Sequence, residues 1–151
     1  MTAGAAMPDK VKVSCVECGA TNAYPAAAGG KQVVCGRCKT PLPLPGTVLD
    51  LKPDRVFTLI KGAALPVLID FSSETCGPCL MMAPVLERLA KRRAGELMVI
   101  KVDIGRSPDL AASFGVRAVP TFVVVHRQTE RGRTTGALSE EDFALWVASR
   151  T

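Results

Sequence analysis

The sequence VLIDFSSETCGPCL occupies residues 67–80. Its first part is a short apolar run with β-branched residues, which predicts a buried strand. A few polar residues follow, and then Cys76-Gly77-Pro78-Cys79 opens a stretch whose apolar residues recur at helical spacing. The pattern therefore predicts that the cysteine pair lies where a strand turns into a helix, with Cys76 at or next to the helix N-terminus.

This position favours thiol chemistry. The first turn of a helix has unpaired N–H groups and a partial positive charge. A thiolate is stabilised there, which makes it available as a nucleophile near neutral pH. Cys79 follows Cys76 by one helical turn and lies on the same side of the helix. The two sulfurs can close into a disulfide and reopen, so the stretch predicts dithiol–disulfide exchange.

All six cysteines of the chain fall into Cys-x-x-Cys pairs, namely Cys15/Cys18, Cys35/Cys38 and Cys76/Cys79. A small secreted disulfide framework would not usually show only this local pairing. The first ten residues lack the basic segment followed by an apolar segment that marks a secretory signal peptide. We therefore expect a reducing, cytoplasmic environment in which the thiols bind metal or act in catalysis.

The two N-terminal pairs predict a zinc site. Sixteen residues separate one pair from the other, a spacing typical of zinc ribbons. Four thiolates fill a tetrahedral coordination shell, so the zinc would be structural rather than catalytic. We expect short strands at residues 10–14 and 31–34, and we expect Gly19 and Gly36 to supply positive φ angles in the two turns. Two disulfides or a redox-active pair remain alternative interpretations of these four cysteines.

The composition is that of a globular protein, with 48% hydrophobic and 22% charged residues among 151. No apolar run reaches the length of a membrane span, and no glycine-rich nucleotide-binding motif occurs, so we expect neither membrane insertion nor a bound organic cofactor. The net charge of +5 is modest and does not by itself indicate nucleic-acid binding. We expect a monomer with a flexible N-terminus at 1–9, a zinc ribbon at 10–40, a proline-rich linker at 41–46 and a larger domain at 47–151.

The larger domain is predicted to be α/β. Strands are expected at residues 47–51, 66–71, 97–103, 121–126 and 133–136, and helices at 53–61, 77–93, 107–114 and from 139 onward. Ser107 and Ser139 are suitable N-caps. Residues 128–132 are expected to form a hairpin turn. This order of elements predicts a mixed central sheet with helices on both faces.

The chain resembles the thioredoxin family over roughly residues 47 to 150. The resemblance rests on motifs in the family's order and approximate spacing: Asp70-Phe71, Cys76-Gly77-Pro78-Cys79, Ala83-Pro84, Lys101-Val102-Asp103, Val119-Pro120-Thr121 and Gly136-Ala137-Leu138. With a zinc-ribbon pattern ahead of this domain, the chain is similar to the bacterial thioredoxin-2 type. The resemblance implies a thioredoxin fold and reduction of protein disulfides, with electrons supplied by a thioredoxin reductase.

The resemblance also implies roles around the cysteine pair. Cys76 would attack a substrate disulfide, and Cys79 would then release the reduced substrate from the mixed disulfide. Gly77 would let a substrate backbone approach closely. Pro78 has a fixed φ and no N–H, so it would stiffen the turn and favour the dithiol.

Asp70 lies inside an apolar strand, where a carboxylate is costly to bury unless it is paired or protonated. The resemblance implies that Asp70 is the buried acid that accepts the Cys79 proton, with Lys101 close by. A strand-end aspartate and a surface lysine remain the alternative interpretation. The resemblance further implies a substrate-binding cis-proline loop at Val119-Pro120, with Gly136 lining the same groove.

Three positions depart from the family pattern. The family commonly has tryptophan before the first cysteine and after Asp-Phe, where this chain has Thr75 and Ser72. Leu80 stands where a lysine often follows the second cysteine. The surface beside Cys76 is therefore less aromatic and less basic, which bears on reductase docking and redox potential. The leading hypothesis is a protein-disulfide reductase. The alternative is a partner-binding or redox-sensing ribbon that uses the larger domain as an adaptor.

Overall fold

The computed structural model describes residues 10–25 and 32–151, and the predicted flexible segment at 1–9 lies outside them. The N-terminal part holds two antiparallel strands, β1 (Lys10–Ser14) and β2 (Thr21–Pro25). Within the described ranges, no helix has both the length and the apolar character that a membrane crossing requires.

Residue 31 of the strand predicted at residues 31–34 lies outside the described residues, and the described part, 32–34, does not form a strand. Val34 makes only an isolated bridge with Pro41, and the partner of β1 is β2 instead. The sequence of β2, with its asparagine, alanine and terminal proline, has weak strand propensity. Pairing with β1, rather than its own composition, therefore keeps this segment extended.

The larger domain contains a five-stranded sheet and four helices, as the sequence predicts. Its elements are β3 (Val48–Asp50), α1 (Pro53–Gly62), β4 (Val67–Ser72), α2 (Gly77–Arg92), β5 (Met98–Asp103), α3 (Pro108–Ser113), β6 (Thr121–His126), β7 (Thr129–Thr135) and α4 (Glu140–Arg150). The strand order is β3-β5-β4-β6-β7. Strands β3, β5 and β4 are parallel, whereas β6 and β7 join antiparallel. The prediction of a mixed central sheet is confirmed.

Strand β4 is central and divides the core into two clusters. Val67, Ile69 and Phe71 join the cluster that contains residues of α1 and α3. Leu68 joins the second cluster, which contains residues of α2 and α4. Because successive side chains of a strand point to opposite faces, Asp70 and Ser72 lie on the α2 side together with Leu68.

Two local details differ from the prediction. Ser139 caps α4 by accepting a backbone N–H at 3.1 Å, as expected, but the Ser107 side chain makes no capping hydrogen bond to α3. The hairpin turn comes earlier than predicted, at Arg127 and Gln128, which have φ angles of 52° and 67°. Two consecutive positive φ angles match the twist of a tight hairpin, so β7 begins directly afterwards.

The N-terminal strands pack closely on the larger domain. Gly19, with φ of +80°, lies against the C-terminal end of α1. A Cβ atom added to Gly62 would lie 2.7 Å from the Gly19 Cα, and one added to Gly19 would lie 2.7 Å from the Thr58 carbonyl oxygen. This approach of two backbones is possible only because neither glycine has a side chain.

Polar contacts fix the orientation of the same interface. Arg55 of α1 forms an ion pair with Glu17 at 2.8 Å. The Ala64 N–H, in the segment before β4, donates to Thr21 Oγ1 at 2.9 Å. Leu42 is buried in the cluster on the α1 side, so part of the segment predicted as a linker packs into the core. The four segment boundaries themselves stay a prediction.

Candidate redox site and candidate metal centre

A disulfide joins Cys76 and Cys79 at the start of α2, with the two Cα atoms 5.2 Å apart. Cys76 is the N-cap residue, and its sulfur accepts the Cys79 N–H at 3.2 Å. Cys76 is half-buried, whereas Cys79 is only 6% exposed. Cys76 is therefore the sulfur that an approaching substrate can reach.

Asp70 is buried on the strand that leads to this disulfide. It is 2% exposed, and its Oδ1 atom has no hydrogen-bond partner among the described residues. Burial raises the pKa of Asp70 to about 7, and the positive charge of Lys101 partly opposes this rise. Lys101 lies opposite Asp70 in the β4–β5 register, but its side chain is exposed. A carboxyl that titrates near neutral pH can exchange a proton with a thiol.

The packing of α2 on β4 brings Cys79 to the side on which Asp70 lies. Cys79, Met82 and Leu86 are buried at spacings of three and four residues, so they share one face of α2. Met82 and Leu86 pack in the same cluster as Leu68 of β4. Asp70 is two residues nearer the C-terminal end of β4 than Leu68, which places it toward the helix turn that carries Cys79.

The loop before β6 and the strand end after β7 meet beside this site. The Val119–Pro120 peptide bond is cis. The Gly136 N–H donates to the Pro120 carbonyl at 2.9 Å, and Gly136 has φ of +97°. Apart from adjacent residues and the backbone of α2 itself, no heavy atom of the described residues lies within 4 Å of the positions that Cβ atoms would take on Gly136 or Gly77. Both glycines therefore leave open space, consistent with a groove.

The surface next to the disulfide is apolar on the helix side. Leu80 and Met81 are 63% and 70% exposed. Glu74 and Arg106 form an ion pair at 2.7 Å that links the loop before α2 to the loop after β5. The sequence alone shows that leucine stands at position 80, where the family often has lysine. The ion pair could not be predicted from the sequence, because it joins residues 32 positions apart and no local pattern indicates it.

The four N-terminal cysteines converge although they lie on two separate turns. Their sulfurs all lie within 4.8 Å of one another. The Cys15 and Cys38 sulfurs are 3.6 Å apart, and those of Cys18 and Cys35 are 3.7 Å apart. A tetrahedral shell with metal–sulfur distances of about 2.3 Å requires sulfur separations of about 3.8 Å. The cluster therefore has the size of a four-thiolate site, and all four cysteines are free thiols.

The two cysteine turns have nearly identical backbone geometry. In the first, the Cys15 N–H donates to a carbonyl five residues on, and the Gly19 N–H donates to the Cys15 carbonyl, at 2.8 and 2.9 Å. In the second, the Cys35 and Lys39 N–H groups make the equivalent bonds at the same distances. The positive φ angles fall on Gly19 and Lys39, at 80° and 65°. The expectation for Gly36 is therefore wrong, because the left-handed residue follows the second cysteine of each turn.

Asn22 is a functional candidate that the sequence analysis missed. Its Nδ2 donates to the Cys35 sulfur at 3.5 Å, and its Oδ1 accepts the Gly36 N–H at 2.9 Å. Hydrogen bonds from the Cys38 backbone and from Asn22 lower the pKa of Cys35 to about 6, whereas burial raises the pKa of Cys15 to about 12. N–H donors directed at a sulfur stabilise its thiolate, which is the form that binds metal.

The geometry thus defines a class of protein: a helix-capping dithiol and a buried acid at the end of a central strand form a site for thiol–disulfide exchange. A sequence profile of the family described as Thioredoxin matches residues 47–149. The chain belongs to the thioredoxin family of thiol–disulfide oxidoreductases.

Individual relatives agree with this assignment. Thioredoxin C-3 of Corynebacterium nephridii is 36% identical over 135 residues, which are 89% of this chain and 92% of that protein. Thioredoxin 1 of Chlorobaculum tepidum is 41% identical over 80 residues, 53% of this chain and 79% of that protein. The structure of a mutant thioredoxin from Halobacterium salinarum superposes with a TM-score of 0.64 at 30% identity, covering 71% of this chain and 93% of that one. The thioredoxin fold is confirmed.

The alignment with Thioredoxin C-3 extends beyond the matched domain. An alignment of 135 residues is longer than the stretch from residue 47 to residue 151. It must therefore include part of the segment that carries the four clustered cysteines.

Proposed function

We propose that this chain is a protein-disulfide reductase of the zinc-ribbon thioredoxin-2 type. The observation that carries the proposal is the difference between the two sulfurs, since Cys76 caps α2 at the surface while Cys79 is buried one turn further on. An accessible attacking thiol and a protected resolving thiol are what a disulfide reductase requires.

The reaction proceeds through one mixed disulfide. The Cys76 thiolate attacks a substrate disulfide, forms the Cys76–substrate bond and releases the first substrate sulfur as a thiolate. Cys79 gives its proton toward Asp70 and attacks the Cys76 sulfur. The second substrate sulfur leaves, takes a proton from solvent, and the Cys76–Cys79 disulfide remains. Two electrons pass from the protein dithiol to the substrate.

The groove beside Cys76 binds the substrate backbone in this proposal. Val119 forms the cis peptide bond with Pro120, and Cβ atoms added to Gly77 or Gly136 would have open space around them. Extended polypeptide segments that carry a disulfide are the expected substrates, and a thioredoxin reductase is the expected electron donor.

The four-cysteine cluster holds one structural zinc ion in this proposal. Sulfur separations of 3.6 and 3.7 Å support the assignment, as do the donors to Cys35. The bound ion would tie the two turns together, and four protein ligands would leave no coordination position for a substrate. Free thiols at these positions fit a reducing compartment, and we expect the protein to act in the cytoplasm.

The test is reduction of insulin disulfides, driven by NADPH and a thioredoxin reductase, with Cys76→Ser alongside. We expect turnover by the native protein and none by the variant. Turnover only with a chemical dithiol would mean that the reductase is not the electron donor. No turnover with either donor, or full turnover by Cys76→Ser, would refute the proposed function.

A further inference from the structure

Two neighbouring hollows lie at the end of the sheet where β4 begins. The first has a volume of about 510 Å³, and its lining includes Lys10, Val11, Lys12, Leu65, Gly95 and Glu96. The second has a volume of about 330 Å³, and its lining includes His126, Arg131, Arg150 and Thr151. Both volumes are in the range of clefts that bind ligands.

The Arg93 side chain joins the two hollows. Its Nε atom pairs with Glu96 of the first hollow at 3.1 Å, and its Nη2 atom donates to Thr151 Oγ1 of the second at 3.2 Å. His126 makes a second link, because its Nε2 atom lies 3.1 Å from the carbonyl oxygen of Ala64, one residue before the lining of the first hollow. The two hollows are therefore parts of one surface, which we call the basic cleft.

The basic cleft gathers positive charge that nothing nearby neutralises. Four cationic side chains line it without an ion pair among the described residues, namely Lys10, Lys12, Arg131 and Arg150. The side-chain carboxylate in the lining, that of Glu96, is already paired with Arg93. Like charges on one surface repel one another, and an anionic partner would relieve that repulsion. The charge therefore indicates an anionic partner.

Two glycines hold these cations in place. A Cβ atom added to Gly132 would lie 2.9 Å from Arg150 Cδ, so the stem of this arginine lies across the backbone of β7. A Cβ atom added to Gly95, whose φ is +81°, would lie 3.2 Å from Val11 Cβ, so β1 rests directly on the segment before β5. The ribbon thus contributes two of the four cations, and a side chain that is already packed loses less entropy when it binds a partner.

We propose that the basic cleft binds an acidic segment of a partner protein, in which an apolar side chain lies among carboxylates. Arginine binds a carboxylate through two parallel hydrogen bonds. Between the two lysines of β1, the first hollow is lined by Val11 and Leu65, which an apolar side chain would cover. Nucleic-acid phosphates would also meet the cations, but the described lining holds no tryptophan, tyrosine or phenylalanine on which bases could stack. An acidic protein segment matches both the charge and the apolar floor.

The basic cleft and the redox disulfide lie at opposite ends of β4. Leu65 comes before this strand and Cys76 comes after it, and six strand residues span about 20 Å. A partner in the cleft therefore leaves Cys76 uncovered. The chain would hold an acidic protein at one end and present its dithiol at the other, so this surface is separate from the proposed reductase site.

Fluorescence polarisation with a labelled peptide tests the proposal. The probe is a short cysteine-free peptide of glutamates with one central leucine, and the native oxidised protein should bind it at low salt with micromolar affinity. Arg131→Gln with Arg150→Gln should weaken binding about tenfold, because two of the four cations are lost. Lys10→Gln with Lys12→Gln should have an effect of the same size, because the ribbon supplies the other two.

Lys52→Gln with Arg117→Gln is the matched control. It removes the same charge from two exposed residues, one after β3 and one before β6, at the redox end of the sheet. Its affinity for the probe should stay within about twofold of the native value, because charges far from the bound peptide are screened. Replacing the leucine of the probe by glycine should weaken binding to the native protein about fivefold, since the apolar floor is then left uncovered.

NMR locates the bound peptide without any need for turnover. The amide signals of Gly95 and Gly132 should shift on binding, and those of Gly77 and Gly136 should not. Shifts only at Gly77 and Gly136 would place the peptide beside Cys76 and overturn the inference. Absence of binding, an equal loss of affinity in the control variant, or indifference to the leucine would also overturn it. Tighter binding of an RNA oligonucleotide of equal charge would assign the cleft to nucleic acid instead of an acidic protein.

Discussion

Replacing Asp70 by asparagine should stabilise the protein, and the stabilisation should depend on pH. The carboxyl is buried, and burial raises its pKa from the ordinary 3.8 to about 7. One pKa unit corresponds to about 1.4 kcal/mol between the two protonation states, so a rise of about three units corresponds to about 4 kcal/mol. This is the free energy by which the charged carboxylate destabilises the folded state at alkaline pH.

The sign follows from proton binding. Between pH 4 and 7 the folded protein holds the Asp70 proton while the unfolded chain has lost it. The folded state therefore binds more protons, and the free energy of unfolding falls as the pH rises through this range. Asp70→Asn cannot ionise. The free energy of unfolding of this variant should exceed that of the native protein by a small amount at pH 4. The difference should grow up to pH 7 and then stay constant at about 4 kcal/mol.

The assay is urea unfolding of the oxidised protein at several pH values between 4.5 and 9. Asp50→Asn is the matched control, because Asp50 lies exposed on β3 and its replacement leaves the four-cysteine cluster and the disulfide intact. The free energy of unfolding of Asp50→Asn should stay within about 0.5 kcal/mol of the native value at every pH, as expected for a surface substitution. A pH-independent difference for Asp70→Asn, or destabilisation at pH 9, would contradict the assignment of Asp70 as a buried acid with a raised pKa.

Three further predictions concern the ribbon and its contact with α1. Gly62→Ala should destabilise the protein by about 1–3 kcal/mol in urea unfolding, although alanine favours helices, because its Cβ would lie 2.7 Å from the Gly19 Cα. Gly105→Ala is the control, because the nearest neighbour of its added Cβ is a side-chain oxygen. An equal loss of stability in Gly105→Ala would contradict the close packing of Gly62 on Gly19. Asn22→Ala should weaken zinc binding about 10–100-fold in competition with a chromogenic chelator, since the donor to Cys35 is lost; unchanged affinity would remove Asn22 from the site. Chelation of zinc under reducing conditions should expose four additional thiols to a thiol reagent and lower the melting temperature, and a protein as stable without zinc as with it would refute a structural ion.

The structure around Cys76 and Cys79 can largely be predicted from the local sequence. The strand, the turn and the helix that carry Cys76 and Cys79 follow one another in the chain, so periodicity alone predicts their order. The burial of Asp70 follows from its place within an apolar run. The burial of Ser72 could not be predicted, because a serine at a strand end is usually exposed, and only the packing of α2 decides which face is covered.

The N-terminal part is less predictable because its order depends on partners distant in sequence. Strand β2 has weak strand propensity and is held extended by its pairing with β1, so its own composition does not predict it. The contact between Gly19 and Gly62 joins residues 43 positions apart through backbone atoms, which leave no periodic signal. Cysteine spacing predicts that the two turns converge, but it carries no information about the surface of the larger domain on which the N-terminal part packs.

The position of the ribbon relative to the redox disulfide bears on the purpose of the ribbon. Its buried residues, among them Val13 and Tyr24, join the cluster on the α1 side of the sheet. Helix α2, which carries the redox disulfide, packs in the cluster on the other side. The ribbon contacts Gly62 at the end of α1 and Ala64 before β4, whereas the disulfide lies beyond the C-terminal end of β4. A zinc ion there would stabilise the fold through α1, or the ribbon would present a separate surface to a partner, and in both cases Cys76 and Cys79 lie at the other end of β4 from this contact.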